Sequence, residues 1–182
     1  MTEDPMLKVW LIEYDKLKAE QTQRIGFRDN LLYVTLSVFG AVVSFAISNT
    51  TNYYAFLVLP WVCLILGWTY LVNDEKISAI GRYIRLTLVE KVKDKTGYGD
   101  LASLFGWEIA HRSDLRRSRR KIEQLIIDEI TFVVSGIIAL VAFWVLVPNP
   151  VLAIHILGGV ELILLLVLGW EIVVYADLAK GR

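Results

Sequence analysis

A carboxylate set inside an apolar run is the residue in this sequence best placed to do chemistry. Glu161 lies in a stretch from about 151 to 176 that holds no Lys or Arg, and seven apolar residues, Leu162 to Leu168, follow it directly. If the stretch is a helix across a bilayer, Glu161 falls near the midplane, where an ionised side chain costs about 3 kcal/mol or more. Two readings stand for it. It lines a pore or binds an ion or proton, or it is a neutral acid bonded to Thr35, Ser37, Ser44 or Ser135 on a neighbouring helix. His155 and Glu171 share the stretch and are the other candidate pore or ion-binding residues. At about 100° per residue, Glu171 falls about 80° from Glu161 around the helix but His155 about 120°, so His155 is not expected to pair with Glu161 on one face. Gly158 and Gly159 thin the same helix beside Glu161 and would let a neighbour approach closely.

The second chemical feature is a basic run. Residues 112 to 121 hold Arg112, Arg116, Arg117, Arg119, Arg120 and Lys121, six cations in ten positions. On a helix Arg112, Arg116, Arg119 and Arg120 form one stripe, flanked by Arg117 and Lys121. Such a stripe is attracted to anionic headgroups at about 1 kcal/mol per charge. Its guanidinium forks equally suit the phosphates of a nucleotide or oligonucleotide. No enzyme signature accompanies either feature. Gly-rich phosphate loops, HExxH and GxSxG do not occur, and the two histidines are 44 residues apart. The single cysteine, Cys63, excludes an intrachain disulfide and a cysteine metal cluster. The chain is therefore expected not to be an enzyme and to use no metal or cofactor.

The elements that would hold these residues are legible in the charge pattern. Of 182 residues 55% are hydrophobic, and the mean hydropathy is positive, too apolar for an ordinary soluble domain. Four stretches without Lys or Arg, from about 31 to 47, 53 to 72, 130 to 147 and 151 to 176, each match the length of a transmembrane helix. Residues 48–52 and 148–150 are short connections, so the spans pair into two hairpins. Five Lys and Arg precede the first span, twelve lie between the second and third, and two follow the fourth. Neither short connection has any. That asymmetry places both termini and the central segment in the cytoplasm.

Outside the spans, Trp10, Tyr14, Leu17 and Gln21 recur at helical spacing and predict a helix that leads straight into the first span. Ile77, Ile80, Ile84, Leu88 and Val92 predict another, broken at Thr96-Gly97-Tyr98-Gly99-Asp100. A further helix is expected to start near Leu101 or Ser113 and run into the third span. There is also a short internal echo. Leu66-Gly67-Trp68 reappears as Leu168-Gly169-Trp170, and Glu20-Gln21 as Glu123-Gln124.

The expected fold is an all-α integral membrane protein with four transmembrane helices in two hairpins and a cytoplasmic helical layer. Its parts are an N-terminal helix (1–29), a first transmembrane hairpin (30–73), a cytoplasmic helical hairpin (74–128), a second transmembrane hairpin (129–176) and a tail (177–182). This plan of compact spans, cytoplasmic helices and the basic stretch Arg112 to Lys121 resembles small bacterial membrane effectors of antiphage defence, the Hailong-type effectors gated by a nucleotide-derived ligand. The first reading is an oligomeric channel or pore-forming effector of the inner membrane with Glu161 on its conduction path. One protomer is not expected both to enclose a pore and to shield Glu161, so a symmetric homo-oligomer is expected. The resemblance implies membrane depolarisation, with a nucleotide or oligonucleotide ligand on the cytoplasmic side setting the open state. Two alternatives stand beside it: a non-conducting adaptor that docks a soluble protein partner, and a small transporter.

Overall fold

The computed structural model describes residues 4–97, 105–106 and 116–176. The described residues form helices and connections without a strand. Four helices are long and apolar enough to cross a membrane: α1 (Pro5–Ser48), α2 (Thr50–Thr96), α3 (Arg117–Leu146) and α4 (Leu152–Tyr175).

Helix α1 starts at Asp4, whose side chain accepts the Met6 N–H at 2.9 Å, with Pro5 in the first turn where no N–H is needed. It runs unbroken for 44 residues, so the N-terminal helix and the first span are one rod, as the periodicity predicts. Asn49 then takes extended backbone and its side chain accepts the Thr51 N–H at 3.2 Å, which starts α2 in 3-10 form over Thr50–Leu57. Helix α2 becomes α-helical at Val58 and passes through a wide π segment, Ile84–Leu88. It stops at Gly97, whose φ of 70° lies in the left-handed region that glycine enters at little cost. The helix expected over 77–92 is thus the continuation of the second span, and no break separates the two at 73–74. Helix α3 also contains a π segment, Glu129–Val134, in which the Ser135 hydroxyl donates to the Ile130 carbonyl five residues back at 2.7 Å. The expected start of this helix near Leu101 or Ser113 lies outside the described residues.

Helices α2, α3 and α4 pack against one another, each touching the other two. A Cβ on Gly67 of α2 would stand 2.9 Å from the Phe132 Cβ of α3 and 2.8 Å from Leu168 of α4, so the backbones approach closely only because the residue is glycine. Two apolar cores result. One, near the two short connections, gathers Leu59, Cys63, Leu140, Phe143 and Leu165. The other, nearer the central segment, gathers Leu31, Tyr70, Phe132, Leu168 and Ile172. The outward faces stay apolar as well, with Leu36, Ile65, Val145, Ile163 and Trp170 all exposed.

Beyond the apolar stretches α1 and α2 continue side by side. The Gln21 amide donates to the Ile77 carbonyl at 3.2 Å, the Tyr83 hydroxyl to Glu13 at 2.7 Å, and Lys95 pairs with Asp4 at 2.8 Å. Lys95 holds the Asp4 carboxyl below its ordinary range. Phe105 of the central segment stacks on Tyr14 at 4.1 Å.

Candidate functional site

Glu161 is the tenth of the 24 residues of α4 and is 0% exposed within a single chain. Neither carboxylate oxygen meets a hydrogen-bond donor. The expected hydroxyl partners bond elsewhere. Thr35 and Ser37 donate to the carbonyls four residues back, Ser135 to Ile130, and Ser44 is exposed. A hydroxyl on a helix satisfies itself against the preceding turn without crossing to a neighbour, and that overturns the expected bond. The Trp61 indole interacts with the carboxyl without reaching hydrogen-bond geometry. One turn away Gly158 packs on the Trp144 ring, with a Cβ position 3.0 Å from it, and the buried Trp144 Nε1 also has no acceptor. An unmatched donor and an unmatched acid thus lie on adjoining turns of the α3–α4 crossing. Gly159 faces open space and closes no contact.

The other two acid–base residues of α4 do not join Glu161. His155 is exposed in the first turn of the helix, and Glu171 is half-buried about 15 Å farther along the axis at 1.5 Å per residue. A single protomer already buries Glu161, with no assembly needed to shield it. Its burial therefore gives no argument for subunit number.

Of the expected basic stripe, Arg116, Arg119 and Arg120 are all exposed. Arg116 caps α3, and Arg119 is paired with Glu123 at 2.8 Å. Arg117 is half-buried. Lys121 turns the other way, with its Nζ 4.0 Å from Asp74. Arg112 lies outside the described residues.

Lys121 leads to a polar cluster that sequence reasoning missed. Arg28 of α1 pairs with Asp74 of α2 at 2.6 Å and lies over the Tyr70 ring at 5.8 Å. Gln124 of α3 donates to the Tyr70 hydroxyl at 3.1 Å and reaches Asp74 at 3.5 Å. Arg24 donates to Asn73 at 3.2 Å. Asp128, 6% exposed, completes the group with one oxygen unbonded. Glu129 on the next turn position also keeps a buried oxygen unbonded, and its other oxygen lies against Gly169 of α4. The signal was present in the sequence. Arg28, Asp74 and Asp128 each stand two or three residues from the end of an apolar stretch, so antiparallel packing brings them to one level. Among the described residues no group of acidic, His and Cys side chains is arranged to hold a metal.

Comparison with protein-family models, with curated proteins and with solved structures finds no match. Fold and site define an all-helical protein with four helices able to cross a membrane, a sealed carboxylate in one of them and a charge cluster where three of them leave the apolar zone.

Proposed function

We propose that the chain is a multi-pass inner-membrane protein, with both termini and the central segment in the cytoplasm, that assembles as a homo-oligomer and conducts ions when its cytoplasmic helices release a closed state. Lipid is the natural cover for the apolar outward faces. Only 17% of the most apolar window of α1 and 28% of that of α4 are buried within the chain, and water would leave the rest uncovered at about 25 cal/mol per Å².

The observation that carries the conduction reading is Glu161. A buried carboxyl with no partner costs about 1–3 kcal/mol even when neutral and more when charged. A packing role alone would be served better by leucine. A closed channel gives that residue a use: it stays neutral and dry while α3 and α4 are packed, and it is hydrated and charged once they part. Gating through the helical layer follows from α1 and α2, which carry the extramembrane bonds of Gln21, Tyr83 and Lys95 on the same rods as the first two spans. Met6, Val9 and Ile12, exposed on α1 outside the apolar stretch, suit a second copy better than water. A nucleotide-type ligand on the exposed basic residues is the gating signal that the antiphage-effector plan would supply.

The test is electrical. Purified protein in planar bilayers should pass cation-selective current, and Glu161→Gln should lower that selectivity with assembly unchanged. Currents that Glu161→Gln leaves unaltered would remove Glu161 from the path. No current under any cytoplasmic ligand tried, nucleotides and oligonucleotides included, would favour the non-conducting adaptor.

A further inference from the structure

Where α1, α2 and α3 leave the apolar zone, one group of the polar cluster is unsatisfied. Arg28 and Lys121 are both aimed at Asp74. Gln124 spends its amide on Tyr70 and Asp74. The Tyr70 hydroxyl faces Asp128, and the Asp128 Oδ1 has no donor at all. Asp128 opens on a cavity of about 20 Å³ walled by Tyr70, Asp74, Lys121, Gln124 and, from α4, Tyr175. That is room for about one water, with several polar groups among otherwise apolar walls. No protein group donates to Oδ1, so an ionised carboxylate there, which can only accept, would depend on a cavity water alone. A protonated Oδ1 becomes a donor, and a water in the cavity can accept from it.

We propose that Asp128 and this cavity form a proton-binding site, in which the carboxyl donates its proton to a single water and releases it to the cytoplasm through that water as the pH rises, loosening α3 from α2. The groups that face Asp128 fit this from every side. From α1 comes Arg28 and from α3 Lys121, both cationic and favouring the ionised form. From α2 come Tyr70, which donates, and Asp74, which repels. Burial outweighs them and pushes the Asp128 carboxyl up to about 7. The π segment that starts at Glu129, directly after Asp128, is where the change would act, since π-bulges recur at functional sites in α-helices. The site is independent of whether the protein conducts ions.

Solid-state NMR of the full-length chain in phosphatidylethanolamine–phosphatidylglycerol vesicles, with carboxyl-labelled aspartate, reads the proton directly. One aspartate is expected to keep the neutral-acid signal to about pH 6 and to ionise near neutrality, far from the ordinary value of about 4. Its through-space contact to the Tyr70 ring assigns it in the wild-type protein, and Asp128→Asn should remove it. Stability should follow. The folded chain holds this proton more tightly than the unfolded one, so the stabilisation is greatest in acid, falls as pH rises and levels off above about 7. Asp128→Asn should flatten that slope. If every aspartate is ionised by about pH 5, or the late-ionising signal has no contact to Tyr70, the proposal is wrong.

Discussion

Arg28 and Asp74 are 18% and 13% exposed as side chains and meet at 2.6 Å, shielded enough for each to depend on the other. Removing one partner of such a pair leaves a charge in poor solvent. Arg28→Ala is expected to lower stability by about 3 kcal/mol, read from unfolding in mixed micelles, and adding Asp74→Asn should recover part of the loss. A double-variant loss equal to the sum of the Arg28→Ala and Asp74→Asn losses would mean that the pair carries no coupling. The sequence shows each of these charges beside an apolar stretch, but not that they touch. They are 46 residues apart, and only the packing of α1 on α2 brings them together. Glu161 was visible for a simpler reason, since one acid in an apolar run needs no partner to be noticed. Its surroundings were not visible, because whether Thr35, Ser37 or Ser135 turns outward or bonds its own helix is decided by rotamers and not by spacing.

At the level of the helices, the tightest crossing is set by Gly67. An added Cβ there would meet the Phe132 Cβ at 2.9 Å, an atom fixed to backbone that cannot swing away. Gly67→Ala should therefore push α3 off α2 and cost about 1–3 kcal/mol. Gly40→Ala is the matched control: nothing lies within 4 Å of its Cβ position, and alanine should gain up to about 1 kcal/mol of helix propensity. Equal thermal shifts for the two variants would deny the crossing its importance. The run of Lys-free and Arg-free residues located all four helices, and Gly97 marked where α2 ends. The π segments could not be read, because widening a turn needs only a neighbour that rewards it, here the contact of Glu129 and Val133 with Gly169. The echo of Leu66-Gly67-Trp68 in Leu168-Gly169-Trp170 has a structural counterpart: both glycines receive α3, and both tryptophans face outward.

Over the whole molecule, the proposed function requires the four helices to cross a bilayer with the α1–α2 extension and its charge cluster on the cytoplasmic side. Span length made the four apolar helices legible, since a bilayer needs unbroken apolar runs of that length, and the charge asymmetry predicts which side the extension faces. Which helices touch was not legible, because all four runs are alike in composition and α2, α3 and α4 meet through small residues and fitted side chains. Cysteine accessibility tests the plan most directly, and the native Cys63, fully buried, need not be removed. Asn52→Cys, Asn149→Cys and Glu90→Cys would be introduced singly and exposed to an impermeant maleimide on intact cells, then again after permeabilisation. The account predicts that Asn52→Cys and Asn149→Cys react in intact cells and that Glu90→Cys reacts only once the membrane is opened. Labelling of Glu90→Cys in intact cells, or protection of Asn52→Cys there, would contradict it.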